Sequence, residues 1–225
     1  MEKPEMIQRE TCIQRLLTDL SNRYPELAVC AESITKAYAI FRHTLAEGHK
    51  MLVCGNGGSA ADAGHFSAEL VKGFLAKRAL PRYLKTNLRG FLGDGDHWVD
   101  RLQGSLPVYP LTVNTALISA ISNDCGADLI FAQQVLGYGQ NGDSLLAISA
   151  SGNSENVLKA VIVAKGLGLR TVGLTGGDGG RLREFCEVLI RVPADRVYQV
   201  QELHLPVYHT LAAMLEAEFF GLQPD

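Results

Sequence analysis

Two stretches of the sequence carry side chains that could move a proton or bind a metal ion. His65 and Glu69 are four residues apart, so on a helix they lie one turn apart on one face. Gln201 and His209 are eight apart and would also share a face, whereas His204 falls on a different side. A Glu near a His suits proton transfer beside a carbonyl, and a His, Glu, His set suits zinc. Spacing alone equally describes a surface pair, and it does not show that Glu69 and His209 meet.

Two turns rich in glycine and serine have the composition of phosphate sites. Gly-Asn-Gly-Gly-Ser at 55–59 and Ser-Ala-Ser-Gly-Asn-Ser at 149–154 each follow an apolar run and precede a helical pattern. Glycines let backbone amides approach an anion, and a helix N-terminus adds unpaired amides and a positive dipole end. Neither turn is GxGxxG or GxxxxGK[ST], so the sequence favours a phosphomonoester and no nucleotide cofactor. The plainer alternative is two tight turns with ordinary caps, Ser59 being a plausible N-cap.

The elements that must position these residues follow from the apolar pattern. The predicted helices cover residues 7–20, 27–45, 60–74, 155–165, 181–185 and 200–220, and the predicted strands cover 50–54, 143–148, 170–174 and 188–192. Pro25 would open the second helix, and Pro206 is tolerable only in the first turn of the last helix or at a kink. Alternating strands and helices predict a three-layer α/β/α sandwich with a central parallel sheet, preceded by N-terminal helices. We interpret the glycine turn at 176–180 as structural.

The stretch 77–109 differs from the rest of the chain. It is poor in periodic apolar residues and contains the only tryptophan, Trp98. We expect it to be a solvated surface loop, with a lid or a subunit contact as the alternative. Its charged residues are Lys77, Arg78, Arg82, Lys85, Arg89, Arg101, Asp94, Asp96 and Asp100.

Composition narrows the class of protein. The 225 residues are 47% apolar with a formal net charge of −3, which suits one domain over residues 1–225 and gives no electrostatic reason for nucleic-acid binding. The sequence contains no apolar leader segment and no apolar run long enough to span a membrane, so we expect no membrane association. Five scattered cysteines indicate reduced thiols and a cytoplasmic location.

Taken together, these residues resemble the sugar isomerase (SIS) domain family, and within it the phosphoheptose isomerases. The matching stretches are CGNGGSAADAGHFSAEL at 54–70, AISND at 120–124, GDSLLAISASGNSENVLKA at 142–160, GLTGGDGG at 173–180 and RVPADRVYQVQELHLPVYH at 191–209. They occur in the family's order over most of the chain from residue 50 onward. The resemblance implies a single SIS domain, with 1–49 as its N-terminal helices and 77–109 as an insertion loop.

The resemblance also implies roles for individual residues. Glu69 and His209 would transfer protons, and four positions would hold one zinc ion per subunit in some members: His65, Glu69, Gln201 and His209. The substrate-binding positions would be Asn56, Gly57, Gly58, Ser59, Glu69, Asn123, Asp124, Ser149, Ala150, Ser151, Ser154 and Gln201. Family enzymes are homotetramers with active sites at subunit interfaces, which implies the same for this chain.

The reaction implied is an aldose–ketose isomerisation through an enediol. It would turn sedoheptulose 7-phosphate into D-glycero-D-manno-heptose 7-phosphate for lipopolysaccharide and other surface glycans. Glu69 would carry a proton between neighbouring carbons while His209 shuttles a proton at oxygen. Two departures stand out: Ala150 replaces the family's usual threonine, and 77–109 is longer than usual.

Two alternatives stay open from the sequence. One is a non-catalytic SIS-domain regulator that binds the bacterial replication initiator; in that relative the active-site His and Glu are lost, whereas His65, Glu69 and His209 are present here. The other is an isomerase for a different phosphosugar, which Ala150 and the 77–109 stretch both permit.

Overall fold

The computed structural model describes residues 3–92 and 97–221. Its helices are α1 (Lys3–Arg23), α2 (Ala31–Ala46), α3 (Gly58–Val71), α4 (Arg82–Leu92), α5 (Thr115–Asp124), α6 (Ile130–Tyr138), α7 (Glu155–Gly166), α8 (Leu182–Phe185) and α9 (Val197–Phe220). Its strands are β1 (Met51–Gly55), β2 (Val108–Pro110), β3 (Ser144–Ile148), β4 (Arg170–Thr175) and β5 (Val188–Arg191). Short 3₁₀ helices cover Pro25–Cys30, Trp98–Arg101 and Ala127–Leu129.

The strands form one parallel sheet in the order β2-β1-β3-β4-β5. This confirms the predicted parallel sheet and four of its strands. The edge strand β2 was not predicted, because three residues at a sheet edge give too short an apolar pattern to recognise. The helices α5 and α6 were likewise missed.

Helices cover both faces of the sheet, which confirms the three-layer sandwich. Alternate strand residues point to opposite faces. Val53 and Leu146 join a core with α1, α2, α3 and α9, whereas Leu52 and Leu145 join a second core with α6, α7 and α8. Because both faces are covered, β1 and β3 are buried at every position. The uninterrupted apolar runs in the sequence reflect this.

The N-terminal helices pack beside α9. Pro25 begins the 3₁₀ helix Pro25–Cys30, which continues directly into α2, so the prediction that Pro25 opens this helical segment is confirmed. Pro206 lies well inside α9 and not in its first turn, and the first-turn alternative is therefore wrong. Proline has no N–H to donate within the helix, and the Thr210 hydroxyl donates to the Pro206 carbonyl at 2.8 Å.

The stretch 77–109 is not the solvated loop that we expected. It contains α4 and the 3₁₀ helix Trp98–Arg101, which are joined by two 2.8 Å hydrogen bonds from Arg89 to Asp100. Arg78 is buried and paired with Glu216. Asp94 and Asp96 lie outside the described residues. Whether this stretch is an insertion relative to the family stays a prediction.

Two further observations concern the cysteines and the helices. All five cysteines are free, and Cys30 and Cys54 are buried. None of the helices described for residues 3–92 and 97–221 is long and apolar enough to cross a membrane.

Candidate active site

The two predicted phosphate turns lie side by side at the carboxyl ends of two neighbouring strands. β1 and β3 are neighbouring strands. From β1 the chain passes to β2, on the other side of β1, and then returns to β3. The two turns therefore flank the point at which the strand order reverses. Parallel α/β sheets bind ligands in this crevice. The Asn56 and Asn156 side chains join the turns through reciprocal amide hydrogen bonds of 2.8 and 2.9 Å. Asn156 was not predicted, because nothing in its local sequence indicates a partner 100 residues away.

The N-cap of the helix that follows the first turn is not the predicted residue. Gly57, with φ of 54°, is the residue that precedes α3, and its carbonyl accepts from the amides of residues 60 and 61. Ser59 lies inside the helix and is buried, so the N-cap prediction is wrong. Gly58 lies against the side chain of Gln201. A Cβ there would lie 2.6 Å from Nε2 of Gln201, whose amide packs on this backbone. The structure thus brings Gln201 to the first turn.

The second turn presents hydroxyls in a compact loop. The hydroxyl oxygens of Ser149 and Ser154 are 3.0 Å apart, and the Asn153 amide donates to Oγ of Ser151 at 3.2 Å. Gly152 has φ of 65°, and a Cβ there would collide with the carbonyl oxygen of Gly179. The third glycine turn therefore packs directly against the serine loop, which supports its structural interpretation.

Three of the predicted acid–base residues meet between α3 and α9. Nε2 of His65 lies 3.1 Å from Oε1 of Glu69, its neighbour one turn along α3. The same nitrogen lies 3.3 Å from Nε2 of His209 on α9. Lys72 donates to the other oxygen of Glu69 at 3.0 Å. His65 thus links Glu69 to His209, a meeting that the sequence could not establish.

A tyrosine and an aspartate hold the far side of the His65 ring. The Tyr208 hydroxyl lies 3.0 Å from Nδ1 of His65 and 3.3 Å from Oδ1 of Asp62. These contacts fix the imidazole plane, so that Nε2 faces Glu69 and His209. The sequence did not indicate Tyr208, although it precedes His209 and Asp62 is one turn before His65.

Burial shifts the pKa of three residues in and beside this cluster. It raises the pKa of Asp62 and of Tyr208, so the tyrosine stays a neutral hydroxyl. It also lowers the pKa of His209, and the adjacent His65 lowers it further. His209 is therefore a neutral imidazole at neutral pH, able to accept a proton.

A cavity of about 270 Å³ opens beside His209, between α1, the segment after α3 and α9. Arg23, Tyr24, Phe74 and Leu205 line it together with His209. The His209 ring is thus reachable from outside.

Two predicted substrate-binding residues contact each other at the end of α5. Asn123 and Asp124 are the last residues of α5, where the Asn123 amide donates to the Asp124 carboxylate at 2.7 Å. Among the described residues, no hydrogen bond links this pair to Glu69, His209 or the serine loop. That Asn123 and Asp124 bind the same substrate as the cluster therefore stays a prediction.

The donor atoms of the cluster are of the types that bind zinc, but they are not arranged as a complete coordination site. In residues 3–92 and 97–221, no group of three or more His, Cys, Asp or Glu side chains is placed to hold a metal ion. Imidazole and carboxylate are ordinary zinc ligands, so the donor chemistry of His65, Glu69 and His209 fits the ion.

Comparison with known proteins identifies the family. A SIS domain model matches residues 20–91 and 94–176. The phosphoheptose isomerase of Rhodospirillum rubrum is 40% identical over 84% of this chain and 88% of its own, and that of Aliarcobacter butzleri is 42% identical over 83% and 86%. The solved phosphoheptose isomerase of Neisseria gonorrhoeae superimposes with a TM-score of 0.69 at 31% identity, covering 91% of this chain and 93% of that one. The chain therefore belongs to the SIS domain family and, within it, to the phosphoheptose isomerases.

Proposed function

We propose that this isomerase converts sedoheptulose 7-phosphate into D-glycero-D-manno-heptose 7-phosphate. The observation that carries the proposal is the meeting of Glu69 and His209 at His65, on the helices that follow and pack against the first glycine turn. An aldose–ketose isomerase needs one group to move a proton between carbons and another to move a proton at oxygen. Membership of the phosphoheptose isomerases supports the same substrate.

Glu69 is the proposed base for the carbon-bound proton. It takes the proton from C1 of the ketose, giving an enediol, and returns it to C2 to form the aldose. The Glu69 side chain is only 12% exposed, and Lys72 and His65 each contact one of its oxygens, so its carboxylate is held in one orientation. Such orientation lowers the entropic part of the barrier.

His209 is the proposed shuttle for the oxygen-bound proton. Its lowered pKa keeps the ring neutral, so Nε2 or Nδ1 can accept a proton from the C1 hydroxyl and deliver it to the C2 oxygen. Asp62 and Tyr208 keep the neighbouring His65 ring in place during this exchange.

The serine loop is the proposed phosphate site. Ser149, Ser151 and Ser154 offer hydroxyls, and the amides at the start of α7 offer N–H donors with the positive end of the helix dipole. Binding at the phosphate fixes the far end of the sugar. It thereby turns remote binding energy into correct positioning of C1 and C2.

Zinc is a proposed addition to this site. His65, Glu69 and His209, with Gln201 as a fourth ligand, would hold it, and it would act as a Lewis acid that polarises the carbonyl oxygen. Chelation followed by titration with ZnCl₂ tests whether the ion binds with one equivalent per chain.

We also propose a homotetramer with sites at subunit interfaces, acting in the cytoplasm and supplying heptose for lipopolysaccharide. The hydrogen bond described for Asn123 and Asp124 joins them to each other and not to the cluster, which is compatible with sites shared between chains. Phe91 (86% exposed) and Val113 (64% exposed) are among the large apolar side chains that a subunit contact would cover. The free cysteines support a reducing compartment.

Incubation of the pure protein with sedoheptulose 7-phosphate, with added zinc and with a chelator, tests the function. We expect an aldose product detectable by NMR in at least one condition. Fructose 6-phosphate and arabinose 5-phosphate serve as comparison substrates, because Ala150 at the serine loop is the observation that favours a different phosphosugar. Faster turnover of either would assign that substrate instead, and no turnover of any would contradict an isomerase.

A further inference from the structure

A fully buried ion pair lies next to the proposed catalytic residues. Nε of Arg78 donates to Oε1 of Glu216 at 2.7 Å, and both side chains are 0% exposed. Removing two charges from water is costly, and their attraction offsets that cost only when the geometry is good and the remaining hydrogen-bonding groups are satisfied. The other contacts of the pair therefore indicate its role.

Those contacts are made with the backbone around Glu69. Nη1 of Arg78 donates to the Leu70 carbonyl at 2.5 Å, and Nη2 donates to the Glu69 carbonyl at 2.7 Å. The Glu216 carboxylate accepts from the amides of Phe74 and Leu75 at 2.8 and 2.6 Å. Each charged group thus binds backbone atoms of the segment 69–75 as well as its partner.

The carbonyls that Arg78 contacts belong to the last turn of α3. Carbonyls there have no partner within the helix, and a cation at this end also complements the helix dipole. The Arg78 guanidinium also lies over the ring of Phe220, 4.7 Å from its centre. Arg78 therefore caps α3 and holds the end that carries Glu69 against α9.

Glu216 connects this cap to the other catalytic residue. It lies on α9 seven residues after His209, which is about two helical turns on the same face. The pair thus ties the backbone of Glu69 to the helix of His209.

We propose that Arg78 and Glu216 are positioning residues that fix the placement of Glu69 relative to His209. The inference rests on the proposed function. Arg78 contacts Glu69 at its backbone carbonyl, and Glu216 contacts the backbone amides of Phe74 and Leu75, so their effect on the reaction passes through the backbone of the segment 69–75. A misplacement of about 1 Å at a reacting group can cost about a hundredfold in rate.

Two variants test the pair. Arg78→Lys keeps the charge but replaces the three guanidinium nitrogens that contact Glu216 and the two carbonyls with a single ammonium nitrogen. The double variant Arg78→Met with Glu216→Leu removes both charges, and such apolar replacements of buried pairs often keep the fold. We expect kcat with sedoheptulose 7-phosphate to fall at least about tenfold in each, with KM within about twofold, because the phosphate loop is untouched.

Two controls separate positioning from loss of stability. Arg42→Met breaks the ion pair from α2 to Glu218, which is also on α9 but contacts no backbone of α3. Val161→Ala opens a cavity in the opposite core and lowers stability far from the site. We expect both to keep kcat within about twofold at a temperature well below every melting transition.

The outcomes distinguish the positioning role from the proposed function. If either folded variant of the pair keeps kcat within about twofold of wild type, the positioning role is wrong. If wild type does not turn over sedoheptulose 7-phosphate, the proposed function fails, and crystal structures decide the positioning role. An Arg78→Lys structure in which the Glu69–His65 separation of 3.1 Å or the His65–His209 separation of 3.3 Å has widened supports it, and two unchanged separations overturn it.

Discussion

The chemistry of the site depends on which atoms face Nε2 of His65. Glu69 reaches it from one turn along the same helix, and His209 reaches it from α9. The helical spacing of His65 and Glu69 was sufficient to predict their contact. The distance to His209 depends on how two helices far apart in sequence pack, which spacing does not specify. Tyr208 and Asp62 complete the arrangement by holding the opposite ring nitrogen.

Ala150 is a residue at which substrate binding can be strengthened. It lies in the serine loop, and its side chain is part of the edge of the larger core. We expect Ala150→Thr to lower KM for sedoheptulose 7-phosphate by about two- to tenfold, because one added hydrogen bond contributes about 0.5–1.5 kcal/mol. Steady-state kinetics measures this, and Ala150→Val is the control of equal shape without the hydroxyl. Equal KM values for the two variants would exclude a role for the hydroxyl.

His204 makes stability depend on pH. It is completely buried, and burial lowers its pKa to about 4 from 6.5. The unfolded chain therefore takes up a proton below pH 6.5 that the folded chain refuses until about pH 4. Stability is thus lost as pH falls through this window, by up to about 1.4 kcal/mol per pH unit. Urea unfolding from pH 7 to pH 4 should show a shallower decline for His204→Leu, and parallel curves for the two proteins would contradict this assignment.

At the level of elements, the turns after β1 and β3 position the proposed substrate-binding residues. Each joins a buried strand to a helix, and their neighbouring strands bring them to one crevice. The serine loop additionally depends on Gly179 beneath it, which approaches too closely for any side chain at Gly152.

Gly152→Ala tests this close approach. The added Cβ meets the Gly179 carbonyl, and the positive φ is itself unfavourable for alanine, so we expect a loss of stability of at least about 1–3 kcal/mol. We also expect a raised KM for the phosphosugar, since the loop must move. Gly166→Ala, at the end of α7 with nothing within 4 Å, is the matched control. Similar melting temperatures for both variants would show that the loop is not constrained as described.

Much of the fold could be predicted from the sequence, for identifiable reasons. Strands buried on both faces give apolar runs such as 144–148, and glycine turns mark their ends. The prediction for the segment 77–109 was wrong because α4 has few residues that pack on the core. Its apolar residues therefore did not indicate a buried helix face. Arg78 looked like a surface charge because its partner, Glu216, lies 138 residues away. Long-range pairing of buried charges leaves no local pattern.

At the level of the whole molecule, the proposed site is shared between chains. Asn123 and Asp124 end α5 and are hydrogen-bonded to each other, with no hydrogen bond to the Glu69 cluster among the described residues. If neighbouring chains contribute residues to each other's sites, mixing the Glu69→Gln and Asp124→Asn variants should restore part of the activity. We expect each variant alone to be nearly inactive and co-assembled mixtures to recover up to about one quarter of wild-type activity, the random share of sites with both native residues. No recovery in tetramers verified to be mixed would place both residues in one chain's site.

The central claim is that Glu69 transfers the carbon-bound proton of sedoheptulose 7-phosphate. The most direct measurement compares turnover of this sugar by wild type and by Glu69→Gln, which keeps the shape of the side chain but removes its basicity. The account predicts that wild type forms the heptose aldose and that kcat in the variant falls by about 10²- to 10⁴-fold with an unchanged melting temperature. Turnover retained by Glu69→Gln would contradict it.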